Sequence, residues 1–107
     1  MKKSLIYLFG FLAVPFFFTT YAFAHTPLCS CYDNGDETIT CEGGFSDGSS
    51  AAGVSMTVKD KDGKAVTEGR MTEDSEYTFK KPSGDYMVVF DAGPGHVVEV
   101  PGSEITE

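Results

Sequence analysis

Val54-Ser55-Met56-Thr57-Val58-Lys59-Asp60-Lys61-Asp62-Gly63 is the stretch that sets the kind of fold to expect. Val54, Met56 and Val58 alternate with Ser55, Thr57 and Lys59, the period of two that gives a strand one apolar face. Asp62-Gly63 then reads as a hairpin turn into a short strand around residues 65–68. Downstream, residues 76–80 alternate again, with Tyr77 and Phe79 on one side. Past Pro82-Ser83-Gly84, Tyr86, Val88 and Phe90 make one face of a strand and Met87 and Val89 the other, so this strand is expected to be central and covered on both sides. Ala92-Gly93-Pro94-Gly95 turns the chain into a last strand over 96–100. Upstream, Thr38-Ile39-Thr40-Cys41 is rich in β-formers.

No sustained i, i+3, i+4 apolar pattern follows residue 25, and 12 glycines and 5 prolines punctuate the chain. Six or seven short strands at this spacing predict an all-β protein, a small antiparallel β-sandwich of immunoglobulin-like kind. The Gly/Ser stretch 46–50 is too short to divide domains. Residues 25–45 are expected to form an N-terminal cysteine hairpin, 46–101 the body of the sandwich, and 102–107 a frayed tail with no core-forming pattern.

The first 24 residues read as a cleaved signal peptide. Lys2 and Lys3 give a positive start, 5–18 is an almost unbroken apolar run, and Ala22-Phe23-Ala24 is an A-x-A cleavage site. Cleavage after Ala24 predicts a periplasmic or secreted chain of 83 residues that begins with His25 and does not insert in the membrane. The whole chain carries 8 basic and 16 acidic side chains. Losing both leader lysines leaves six basic against sixteen acidic, a balance that argues against nucleic acid or an anionic membrane as partner.

Export makes disulfides durable, and the three cysteines are Cys29, Cys31 and Cys41. They flank Asn34-Gly35, a hairpin-turn signal, and register decides their chemistry. A two-residue loop points Cys41 away from the other two; a three- or five-residue loop pairs odd positions with odd and puts all three sulfurs on one face. With Asp33 opposite Glu37, Cys29 lies across from Cys41, so Cys29–Cys41 is the disulfide candidate. The alternative use of Cys29, Cys31 and Cys41 is as thiolate metal ligands.

Only two histidines are present, His25 and His96. An N-terminal His25 carries an amine and an imidazole in chelating reach, and His96 follows the Gly93-Pro94-Gly95 turn. The candidate metal ligands are therefore His25, His96, Cys29, Cys31 and Cys41. Pro27 in third position lacks the amide N–H of the amino-terminal copper/nickel motif, so the fold must assemble any site. Asp33-Asn34-Gly35-Asp36 and Asp60-Lys61-Asp62-Gly63 lack the calcium-loop pattern and read as turns. No serine, cysteine or carboxylate constellation reads as catalytic, so a binding role is expected and not an enzyme.

Two resemblances add to this. Residues 53–100, with Gly-Val-Ser-Met-Thr-Val, Thr-Glu-Asp-Ser-Glu-Tyr-Thr-Phe and Pro-Ser-Gly-Asp-Tyr-Met-Val-Val-Phe, resemble the transthyretin-like sandwich, also seen as the carboxypeptidase regulatory-like domain. The segments 28–36, 40–50 and Phe90-Asp91-Ala92-Gly93-Pro94-Gly95-His96 resemble small exported bacterial proteins associated with cobalt/nickel uptake transporters of the energy-coupling-factor type. That likeness implies a divalent transition metal, nickel or cobalt ahead of copper or zinc. It also implies a membrane metal transporter complex as partner. The other reading is a non-catalytic, disulfide-stapled interaction module without metal.

Overall fold

Period-two alternation is realised in seven strands of a computed structural model that describes residues 25–107. The expected leader, residues 1–24, lies outside the described residues. The strands are β1 (Pro27–Asp33), β2 (Thr38–Phe45), β3 (Ser55–Asp60), β4 (Ala65–Arg70), β5 (Glu76–Lys80), β6 (Tyr86–Asp91) and β7 (Val97–Pro101). The one helical piece among the described residues is a 3₁₀ turn, Gly102–Glu104.

All pairings are antiparallel and divide into two sheets, β1-β2-β5 and β4-β3-β6-β7. The chain crosses between sheets after β2, β4 and β5. This arrangement differs from the immunoglobulin constant-type sandwich only in that β4 pairs with β3 and not with β5. Strand β6 lies between β3 and β7, as its two-sided apolar pattern predicts. Val88 and Phe90 enter the core, and Val89 is also buried although it alternates to the other face.

Between the sheets lie Ile39 and Cys41 from β2, Phe79 from β5, Met56 and Val58 from β3, and Val88 and Phe90 from β6. Ala51 and Met71, from the crossovers, close one end. Such a core is small, and a domain of this size gains from a covalent staple.

The C-terminal residues correct the expected frayed tail. Ile105 is only 9% exposed and belongs to the core, and the Thr106 carbonyl accepts the Asp33 amide at 2.9 Å. One apolar residue, brought back by the 3₁₀ turn, is enough to dock the segment. No periodicity announces it, because a single residue has no period.

Both acidic turns spend their carboxylates on the chain's own amides. Asp60 Oδ1 accepts from the N–H groups of Asp62 and Lys64, and Asp33 Oδ1 from that of Gly35. Gly63 and Gly35 supply the left-handed conformations these turns need.

Candidate metal centre

The β1–β2 register governs everything at the cysteine hairpin. Asp33 pairs with Ile39, Cys31 with Cys41, Cys29 with Gly43 and Pro27 with Phe45. The loop is thus the five residues 34–38, and the expected parity holds, with odd positions of both strands facing inward. The expected Cys29–Cys41 disulfide does not form. The bridge is Cys31–Cys41, and Cys29 is the free thiol.

Loop chemistry explains the choice. Asn34 Nδ2 donates to Thr38 Oγ1 and Thr40 Oγ1, both at 2.9 Å, and Asp36 Oδ1 accepts from the Thr38 amide and hydroxyl. From the other sheet edge, the Lys81 amide donates to the Glu37 carbonyl at 2.8 Å and Lys81 Nζ to Asp33 Oδ2 at 2.8 Å. These bonds offset the left-handed backbone of Glu37, φ 75°, which costs a non-glycine residue roughly 1–2 kcal/mol. The tighter loop would instead set Asp33 against Glu37, two carboxylates directly across a strand pair.

The three sulfurs form one cluster, all within 4.8 Å of one another. Cys41 is fully buried and Cys29 half-buried. Burial pushes the Cys29 thiol up to about 11, because the thiolate loses hydration with no cation beside it. Across from Cys29 stands Gly43, and a Cβ there would come within 2.7 Å of Met71 Sδ and of the Phe90 ring. The space facing Cys29 therefore holds a thioether and an aromatic edge.

Neither histidine belongs to this cluster. Cys29 lies four positions beyond His25, roughly 13 Å of extended chain, beyond the reach of one ion. His25 instead meets Asp47. Continuing the β1–β2 register past Pro27 and Phe45 sets Thr26 against Ser46 and His25 against Asp47. The Ser46 amide donates to the Thr26 carbonyl at 2.9 Å and the Thr26 amide to Ser46 Oγ at 3.0 Å. His25 is thereby held, its ring edge-on to Phe45 with centroids 6.3 Å apart and its Nδ1 2.9 Å from Asp47 Oδ2. Asp47 Oδ1 is fixed by the amide and hydroxyl of Ser49, at 2.9 and 2.6 Å. Those two bonds, ahead of the His25 ring, hold the Asp47 carboxyl below its ordinary range.

His96 closes its own turn. Its amide donates to the Gly93 carbonyl at 2.8 Å and its Nδ1 lies 3.1 Å from the Pro94 carbonyl. A carbonyl only accepts, so Nδ1 is the donor in this contact. β6 ends beside Phe45, where the rings of Phe45 and Phe90 stand 6.0 Å apart, so this turn and His25 share one end of the sandwich. No contact joins the two histidines among the described bonds.

Sequence reasoning missed Asp47 and Met71. Asp47 was reachable only through the register, and Met71 lies in a crossover where no pattern marks it. Compared with known protein families, characterised proteins and solved structures, the chain has no significant match.

Proposed function

We propose that this chain is an exported metal-binding accessory protein whose site is the mature N-terminus, His25, together with Asp47. The observation that carries the reading is the 2.9 Å separation of His25 Nδ1 and Asp47 Oδ2. Two donors each about 2.0–2.1 Å from one ion, at cis or tetrahedral angles, lie roughly 2.9–3.4 Å apart. An ion can therefore replace the shared proton without moving either strand. With the chain cleaved after Ala24, the amine of His25 adds a third donor in a six-membered chelate with Nδ1.

Amine, imidazole and carboxylate are a nitrogen/oxygen set suited to Ni²⁺, Co²⁺ or Cu²⁺, and their affinities should rise from cobalt to nickel to copper. The net acidic surface favours approach of cations. Delivery to a membrane transporter for nickel or cobalt is the role that the resemblance of the exported segments supports.

Intact mass of the exported protein first checks that it begins at His25. Titration calorimetry with Ni²⁺, Co²⁺ and Cu²⁺ then compares His25→Ala, Asp47→Asn and His96→Ala. The expected result is at least a tenfold loss in the first, a smaller loss in the second and none in the third. A different N-terminus, or unchanged affinity in His25→Ala, sinks the site and leaves the stapled interaction module as the better reading.

A further inference from the structure

We infer that reduction of the Cys31–Cys41 disulfide opens a second, separate metal site, a sulfur cluster for monovalent copper formed by Cys29, Cys31 and Cys41 with the Met71 thioether beside it.

The geometry comes from one strand pair. Cys29 and Cys31 are alternate inward residues of β1, and Cys41 is the inward residue of β2 opposite Cys31, so three sulfurs lie within 4.8 Å of one another. An ion about 2.3 Å from each of three thiolates spaces them roughly 4 Å apart. Once the S–S bond is broken, rotation about the Cα–Cβ bonds is the movement that would bring the sulfurs to that spacing.

Gly43 supplies the second, independent observation. Any side chain at this position would collide with Met71 Sδ, so the thioether occupies the ground across from Cys29. Met71 is 3% exposed and Cys41 and Phe90 are fully buried, which makes the surroundings dry and apolar. Thiolate and thioether donors select soft Cu⁺ over Ni²⁺ or Co²⁺, and among the described residues no imidazole or carboxylate joins the cluster.

The redox step balances with an external dithiol. It gives two electrons and two protons to the S–S bond, which breaks to two thiols, and the dithiol becomes a disulfide. Cu⁺ then forms its sulfur bonds as the thiols release protons. The oxidised chain offers one thiol and no site. This site does not depend on His25, which is not part of the cluster.

The mature protein, reduced with a dithiol and freed of it without oxygen, is titrated with Cu⁺ against a chromophoric Cu⁺ chelator. The expected result is one Cu⁺ per reduced chain and none per oxidised chain, with only sulfur in the copper X-ray absorption first shell. Cys29→Ala, which keeps the disulfide in the oxidised form, should weaken binding at least a hundredfold after reduction, and Met71→Leu about tenfold. Near-ultraviolet circular dichroism reports whether the reduced apo chain stays folded. If it does not, Cu⁺ should restore the native spectrum. Equal binding by the oxidised chain, nitrogen or oxygen ligands to copper, no effect of Cys29→Ala, or a reduced chain that stays unfolded with Cu⁺ would each overturn the site.

Discussion

Cys31 and Cys41 stand directly opposite each other across β1 and β2, and their disulfide locks the register that also sets His25 against Asp47. A slip of two residues would keep every inward side chain inward. It would nonetheless exchange the bridging cysteine and move His25 away from Asp47. One covalent bond therefore fixes the register that pairs His25 with Asp47, and its reduction is what frees the sulfur cluster.

The two partners of that bond should be unequal to Cys29 in stability. The bridge closes a short loop, and removing it by Cys31→Ala with Cys41→Ala should cost about 2–3 kcal/mol through loop entropy, plus a smaller packing loss at Cys41. Cys29→Ala should cost about 1 kcal/mol or less. Urea unfolding of both variants, with peptide mapping of the wild type, checks this. An equal loss in Cys29→Ala would assign the bridge to the wrong pair.

Gly43→Ala should destabilise the fold by about 1–3 kcal/mol, because its Cβ overlaps Met71 Sδ and the Phe90 ring, both in the core. Gly84→Ala is the control. Nothing lies within 4 Å of the Cβ it would add, and a change within about 0.5 kcal/mol is expected. Thermal or urea midpoints of the pair test the close approach and not glycine replacement in general.

The docked C-terminus predicts that Ile105→Ala lowers stability by about 2–4 kcal/mol. Deleting residues 105–107 should cost at least as much, since it also removes the Thr106 carbonyl from the Asp33 amide. Hydrogen exchange at the Asp33 amide should accelerate in the truncated chain. Unchanged exchange would show that this end of β1 is held by other contacts.

Acid should weaken the hairpin loop through Asp33. The hydrogen bond from Lys81 and the Gly35 amide hold its carboxyl below the ordinary value of 3.8. A folded value below the unfolded one means that its stabilisation is present above about pH 4 and lost as the pH falls through the folded value. The denaturation midpoint should drop over that window, and Asp33→Asn should flatten the drop while lowering the plateau near neutrality. An unchanged acid limb in Asp33→Asn would reassign the effect to Asp47 or Asp60, whose carboxyls are lowered by turn hydrogen bonds.

Strand positions, the central place of β6 and the shared face of Cys29 and Cys31 were legible in the chain because each rests on alternation within a few consecutive residues, whereas the side taken by Cys41 waited on the loop length. Val54, Met56 and Val58 announce their own face, and Tyr86 to Phe90 announce two. Register is different in kind. Moving β1 by two residues leaves the same side chains buried, so burial is blind to the choice. What separates the registers is a set of contacts from residues far along the chain. Lys81 bonds to Asp33 and Glu37, Thr106 to Asp33, and Met71 and Phe90 fill the space that Gly43 leaves open. Only the assembled sandwich brings those groups to the hairpin. It thereby chooses Cys31 over Cys29 for the bridge, gives His25 the carboxylate of Asp47, and leaves a free thiol beside a disulfide.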